Sequence, residues 1–467
     1  MRVLRRHAEG AGWLEDVLET ELAKGALASP DRALLHELCF GTVRWQATLD
    51  WLIARKTAGR TQNQVLQILL RLGLYQLFWL DRIPDHAAVH ETVQMARELG
   101  FGAKAGFVNA LLRGCLRERD TLERELKALR TSEPHLGWSH PEWLCARWEQ
   151  RWGAENLRAL LDWNNTPPSV FIRVNTLKTT PEKLAQQFAL EGVLFTPRTF
   201  DWCLPNIVFE LRAHPPLASL PSFQQGDFYV QDPSTLLAVE ALNPQPGESV
   251  LDLCAAPGGK TTLIAQRMQN QGLVQAQDTD KGRQKLIQEN CDRLGVTCVT
   301  IEKNASSSLP SPPPRSARAP RGGESDGGEG ARRAGEEERS SSSGDFRGES
   351  AFLGREVAAR FDRILVDAPC SNTGVMRRRV ELRWRIQFAE IDRLKGVQLE
   401  LLRQAAILLK PRGTLVYSTC SLEPEENDGV VQEFLAGRKE FRLDSERALL
   451  PFADAVDGAY VAKLRCV

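Results

Sequence analysis

The sequence predicts an α/β protein, with a doubly wound parallel sheet in its C-terminal half preceded by an all-helical region and a small mixed segment. Three observations carry this. Apolar residues recur at helical spacing across roughly the first 130 positions. Beyond Tyr229, short apolar runs alternate with glycine turns and helical runs, the rhythm of strands joined by crossover helices. The 467 residues, 42% hydrophobic and 26% charged, have room for about three domains, which excludes a disulfide mini-protein or a wholly disordered chain. Sixty basic residues balance sixty acidic ones, so any anionic partner must be met by local clusters.

The helical domain is assigned to residues 1–130. It opens with Trp13, Leu14, Val17, Leu18 and Leu22 on one helical face. Ser29-Pro30-Asp31 then reads as an N-cap with proline in the first turn, starting a helix that runs through Leu34, Leu35, Leu38 and Val43 towards Trp51. Amphipathic runs over 61–80, 86–99 and 104–119 follow, split by short Gly, Pro or Asp breaks. Residues 131–225 form a small α/β linking domain: Pro141 opens a Trp-rich helix, Val170–Val174 is a strand, Thr180-Pro181-Glu182 caps a helix, and Ile207–Leu211 is a second strand. In the remaining domain, 226–467, the clearest strands are Val250–Leu253, Leu273–Gln277, Phe361–Val366 and Gly413–Tyr417. Residues 305–350 contain no Ile, Val, Met, Cys, Trp or Tyr, a composition that predicts a disordered insertion leaving the sheet topology intact.

The greasiest stretch, Gln67–Leu80, is interrupted by Arg71 and Gln76, and the N-terminus has no apolar core, so neither a membrane span nor a secretory signal is expected. A cytoplasmic protein is expected. The ten cysteines form no C-x-x-C pair and no Cys/His quartet, so no metal is expected and most of them read as buried thiols.

Val250-Leu-Asp-Leu-Cys254-Ala255-Ala256-Pro257-Gly258-Gly259-Lys260-Thr-Thr is a buried strand, a small-residue turn and a helix start, which aims a helix N-terminus at a ligand. Two cofactors use such a turn. A P-loop fits Gly259-Lys260-Thr261, yet Cys254 stands where its leading glycine belongs. An adenosine-type ligand instead wants an acidic residue at the end of the next strand, about 20 residues on, and Asp278 stands there. A purely structural turn competes with both.

Asp367-Ala-Pro-Cys370 and Ser418-Thr-Cys420 each follow an apolar strand, so both thiols can face one crevice at the carboxyl edge of the sheet. A thiol beside a methyl donor suits methylation of a pyrimidine carbon. C5 of cytosine is too electron-poor to attack a methyl group until a thiolate adds at C6 and makes C5 enamine-like. Asp367 can hold the N3/N4 edge of the base, and Lys260 can orient base or cofactor.

Cys254-Ala-Ala-Pro-Gly-Gly-Lys260, Asp367-Ala-Pro-Cys370, Thr419-Cys420-Ser421 and Glu423-Pro-Glu-Glu-Asn427 resemble the signature of S-adenosylmethionine-dependent RNA cytosine-C5 methyltransferases of the Nol/Nop/Sun superfamily. The whole chain outside the insertion is similar to the bacterial 16S ribosomal RNA enzymes of that superfamily, the Sun/Fmu type. The resemblance implies a NusB-like RNA-binding domain, a small linking domain with Phe171-Ile-Arg-Val-Asn175, and a Rossmann-like class I methyltransferase domain. It makes Cys420 the attacking nucleophile and gives Cys370 a part in release. In DNA cytosine methyltransferases the Pro-Cys thiol attacks, so the pair of thiols points to RNA. The implied cofactor contacts are Cys254, Ala255, Ala256, Pro257, Gly258, Gly259, Lys260, Asp278, Asp367 and, where the family has an aspartate, Asn304. The family's Arg-Arg-His-Pro run reads Arg377-Arg-Arg-Val-Glu381 here.

Arg377, Arg378, Arg379, Arg383 and Arg385, with Trp384, put cations and an aromatic beside the catalytic loop, suited to phosphate contact and base stacking. The expected partner is 16S ribosomal RNA, unassembled or partly assembled, because the target base must leave any helical stack. The enzyme is expected to act as a monomer. Transfer RNA as substrate, a P-loop nucleotidase and a non-catalytic assembly factor are the competing readings.

Overall fold

The computed structural model describes residues 1–25, 27–302 and 360–467. Asn304 and the 305–350 insertion lie outside the described residues. The N-terminal region is helical, as the periodicity predicts, with Gln64–Trp79, Asp85–Glu98 and Ala105–Arg117 forming around a core that includes Leu69, Leu70, Leu74 and Leu112. One expectation changes. The helix read from Ser29 towards Trp51 is two helices, Ser29–Arg44 and Gln46–Thr57, with Trp45 between them. The first turn of the second helix finds its partners elsewhere: Ala47 N–H donates to Ser139 Oγ (3.0 Å) and Thr48 Oγ1 to the Leu136 carbonyl (2.5 Å). The Trp45 ring packs on Trp79, with centroids 5.0 Å apart.

The helix Glu142–Asn165 leads into a four-stranded antiparallel sheet made of β1 (Val170–Val174), β2 (Leu194–Arg198), β3 (Val208–Ala213) and β4 (Phe228–Val230), in the order β2-β3-β1-β4. The helix Pro181–Leu190 covers it, with Thr180 Oγ1 accepting from Lys183 N–H (3.3 Å) as its cap. Ile172, Phe188, Phe209 and Phe228 share the small core. β4 falls in the stretch that the sequence reading gives to the catalytic domain, because three residues are too short a run to show strand periodicity.

The C-terminal domain carries a seven-stranded sheet of β5 (Ser249–Leu253), β6 (Leu273–Gln277), β7 (Val299–Ile301), β8 (Phe361–Asp367), β9 (Leu409–Thr419), β10 (Phe441–Leu449) and β11 (Ala459–Cys466). Their order is β7-β6-β5-β8-β9-β11-β10, with β5 to β9 parallel and β11 antiparallel to both neighbours. The side chains alternate as the strand period requires. Val250, Val274 and Leu365 pack under Leu263 and Ile264 on one face; Leu251, Ile364 and Val366 pack under Leu399, Leu402 and Val430 on the other. Strand order reverses between β5 and β8, so the loops after β5, β6, β8 and β9 open on one crevice at the carboxyl edge, where such folds bind ligands.

Candidate active site

The chain leaves β5 through Cys254 (φ 61°) and turns at Gly258 (φ 99°), the cap of the helix Gly259–Arg267. Only glycine suits position 258, because it sits in the left-handed region and a Cβ there would lie 3.3 Å from the Ile287 Cα. The loop is tied to the end of β6. Ala255 N–H donates to the Gln277 carbonyl (2.9 Å), and Ala256 N–H to Asp278 Oδ2 (3.2 Å). Arg283 bridges back, donating to the Ala256 carbonyl (2.7 Å) and lying 3.4 Å from Asp278. Asp278 Oδ1 takes a further bond from Asp280 N–H (3.1 Å). A carboxylate has room for about four such bonds, so the one ending β6 retains acceptor capacity for a ribose diol. The polar groups of this turn therefore fit a nucleoside cofactor.

Arg173, from β1, anchors the same turn from beneath. It is 1% exposed and donates to the Gly259 carbonyl (2.9 Å), Gln231 Oε1 (2.7 Å) and Thr262 Oγ1 (3.1 Å), with Tyr229 stacked at 5.5 Å. Burial lowers its pKa to about 10, so it remains a cation at neutral pH. Sequence reasoning assigned Arg173 no role. The available signal was an arginine inside the apolar run Val170-Phe-Ile-Arg-Val.

Asp367, at the end of β8, is gripped on both oxygens: Oδ2 accepts from Lys260 Nζ (2.7 Å) and Oδ1 from Ser418 Oγ (2.7 Å). Burial opposes the Lys260 charge, but Asp367 outweighs it and holds the ammonium pKa above its ordinary value. Behind them Asp252 is fully buried and accepts from Thr261 Oγ1 (2.6 Å); burial raises its pKa to about 7.

The two thiols meet. Cys370 Sγ and Cys420 Sγ are 3.4 Å apart, with Cys370 buried and Cys420 half-buried. The contact with Cys420 and burial together hold the Cys370 thiol well above its usual pKa. Asn372, in a left-handed turn (φ 59°), accepts from Cys420 Sγ at Oδ1 (3.1 Å) and donates to the Cys370 carbonyl (2.6 Å). Gly374 N–H donates to the Cys420 carbonyl (2.9 Å), locking the second loop onto the first. The linking domain supports the chain after Cys420: Arg147 Nε and Trp148 Nε1 both donate to the fully buried Glu423 (2.5 and 3.0 Å), and Arg147 also pairs with Glu425.

The basic run after Cys370 requires a correction. Arg377 and Arg383 are 3% and 1% exposed, and neither offers its guanidinium to a phosphate. Arg377 stacks on Trp163 (3.9 Å) and pairs with Asp457 (2.5 Å), while Arg378 bridges Asp457 (2.5 Å) and Asp232 (2.7 Å). Arg383 donates to the carbonyls of Arg44 (3.2 Å), Ser139 (3.1 Å) and Asn164 (3.0 Å) and to Asn165 Oδ1 (2.8 Å). Trp384 Nε1 donates to the Val43 carbonyl (2.7 Å), and Arg385 to that of Gly12 (2.6 Å). These groups fasten the helical and linking domains onto the catalytic loop. Arg379, exposed near Trp13, keeps an outward-facing cation. Among the described residues no helix is long and apolar enough to cross a membrane, and no His/Cys/Asp/Glu group is arranged to hold a metal ion.

The reversed strand order, the tethered glycine turn and the carboxylate ending β6 define an S-adenosylmethionine-dependent methyltransferase of the Rossmann-like class. Residues 239–311 and 329–465 match the family described as 16S rRNA methyltransferase RsmB/F, 1–117 match the NusB family, and 140–202 match the RsmF/B-like ferredoxin-like domain. A probable ribosomal RNA small subunit methyltransferase B of Bacillus subtilis (strain 168) is 35% identical over 434 residues, covering 92% of this chain and 85% of its own. The ribosomal RNA small subunit methyltransferase B of Cronobacter sakazakii is 35% identical over 453 residues, covering 94% and 91%. Among solved structures, that of PH0851 aligns at TM-score 0.71 with 23% identity, over 97% of this chain and 94% of its own. A methyltransferase homologue from Pyrococcus horikoshii aligns at 0.54 with 29% identity, over 71% and 97%. The chain belongs to the RsmB/F family of RNA methyltransferases.

Proposed function

We propose that this protein methylates C5 of a cytosine in 16S ribosomal RNA through a covalent adduct between Cys420 and C6 of the base. The observation that carries the reading is the Cys370–Cys420 contact of 3.4 Å at the carboxyl edge, beside a carboxylate held by Lys260 and Ser418. S-adenosylmethionine, held by residues 254–260 and Asp278, supplies the methyl group. Cys420, the more exposed sulfur, adds to C6 and turns C5 into a nucleophile; after transfer the C5 proton leaves and the C6–S bond breaks. Asp367 presents a half-buried carboxylate to the N3/N4 edge of the base, with Lys260 fixing its direction. Cys370 assists release. Arg379 offers a phosphate contact, and a base that must unstack suits unassembled or partly assembled RNA in the cytoplasm, met by a monomeric enzyme.

The test is transfer from labelled S-adenosylmethionine to in vitro transcribed 16S RNA, with transfer RNA as comparison, for wild type, Cys420→Ala and Cys370→Ala. Expected are 5-methylcytosine in 16S RNA, no covalent adduct with Cys420→Ala, and accumulated adduct with Cys370→Ala. A wild type that methylates neither RNA removes the reading.

A further inference from the structure

Each thiol is followed by a serine, Cys370-Ser371 and Cys420-Ser421, and one buried carboxylate takes hold of both. Glu426 Oε1 accepts from Ser371 N–H (2.8 Å) and Gln398 Nε2 (3.0 Å); Oε2 accepts from the Ser371 hydroxyl and from Ser421 Oγ (2.5 Å). Gln398, fully buried on the helix Phe388–Leu408, also donates to the Pro369 carbonyl (2.9 Å), one residue before Cys370. Ser421 Oγ accepts from Glu423 N–H (3.0 Å) and lies 3.0 Å from Ser371 Oγ, so the two hydroxyls and the carboxylate form one hydrogen-bonded cluster. The Glu426 backbone is held in turn, its carbonyl accepting from Tyr417 Oη (2.6 Å).

We propose that Glu426 is a positioning residue that clasps the two cysteine loops together and keeps Cys370 a protonated thiol against Cys420. The inference rests on the covalent reading above and deepens it. In the release step, the C5 proton of the methylated adduct passes to water acting as base. Its electron pair forms the C5–C6 double bond as the C6–S bond breaks, and the departing Cys420 sulfur takes the Cys370 proton. Cys370 regains its proton from solvent. The four donors that converge on the carboxylate suit an ionised Glu426, and a negative charge there disfavours the thiolate of Cys370. The titratable groups that act on Cys370 are Cys420, Glu426 and Tyr417 from β9, and the cation of the site, Lys260, acts on the Cys420 side of the pair. Burial holds Glu426 itself above the usual carboxylate range, and the four donors work against that.

The experiment compares full-length wild type, Glu426→Gln and the double variant Ser371→Ala/Ser421→Ala. Adduct formation is read on 5-fluorocytosine RNA, whose C5 bears no proton to lose, and release is read as turnover and adduct accumulation on ordinary 16S RNA across pH. For Glu426→Gln, the expected result is S-adenosylmethionine binding and adduct formation within about threefold of wild type, with turnover reduced about 100-fold. Its adduct accumulates, and the alkaline loss of release moves to lower pH, because Cys370 ionises more easily without the neighbouring anion. The serine variant retains the charge, so it should slow turnover while leaving that pH limb where wild type has it. Wild-type turnover and an unmoved limb in Glu426→Gln overturn the proposal. If Glu426→Gln does not fold, wild-type turnover in the serine variant overturns it instead. A wild type that forms no adduct counts against the function itself, not against this clasp.

Discussion

Asp252 shows how one residue at the centre of the site couples chemistry to stability. It is fully buried, Thr261 satisfies one oxygen, and Oδ1 has no hydrogen-bond partner. In the unfolded chain this carboxyl ionises near pH 4. In the fold, burial and then the nearby Asp367 and Asp278 carry its pKa up to about 7. The native state thus holds the proton more tightly, so stability from this group is complete below about pH 4 and lost as pH rises through about 7. Asp252→Asn removes the titration while keeping the shape. Its unfolding free energy should therefore gain on wild type as pH rises from about 4 to 7, by on the order of a few kcal/mol, with its thermal midpoint rising relative to wild type. Equal midpoints at both ends of the window would show that Asp252 does not titrate there. At this scale the sequence was most legible in which candidate side chains gather at one crevice, as with Lys260, Asp278, Asp367, Cys370 and Cys420, each inside a local motif. Arg173 and Glu426 stand in quoted motifs too, but their roles were not legible, because each is set by partners on turns tens of positions away.

The segment from Arg377 to Ile386 teaches the opposite lesson at the scale of an element. Five arginines in nine positions read as a solvated or phosphate-binding face, since composition alone cannot say what packs over them. In the fold Val380 lies in a core with Leu14, Leu18 and Phe40, Glu381 accepts from Leu14 N–H (2.8 Å), and Arg383 satisfies oxygens from the helical and linking regions. The strands and the glycine turn were readable because their signals are periodic and local; this hub depends on contacts more than 300 positions apart. Arg383→Lys keeps the charge but not the planar fork, leaving several of these oxygens without a donor. It should cost about 3 kcal/mol and speed amide exchange in the helices flanking Trp45. Arg379→Ala, at an exposed position, should change stability by less than about 0.5 kcal/mol and instead weaken RNA binding. A stability loss confined to the second variant would reverse these assignments.

For the molecule as a whole, the three regions act as one support for a single crevice. β1 of the linking domain holds the cofactor turn through Arg173, its long helix holds the chain after Cys420 through Arg147, and the helical domain is fastened beside Cys370 by Arg383 and Trp384. β7 is an edge strand separated from β8 by β6 and β5, a lateral step of about 15 Å, and the return along the strands adds about 20 Å. Without 305–350, the eleven residues 303–304 and 351–359 would still span about 36 Å when extended, enough for the diagonal. Shortening the connection from 57 residues to eleven lowers its closure entropy by about 1.5 kcal/mol. The family match is itself discontinuous across 312–328. Deleting 305–350 should therefore leave S-adenosylmethionine binding intact and the thermal midpoint unchanged or slightly higher. Loss of cofactor binding in a folded deletion variant would mean that this stretch supplies a contact in the crevice, and Asn304, adjoining it, would be the first position to substitute.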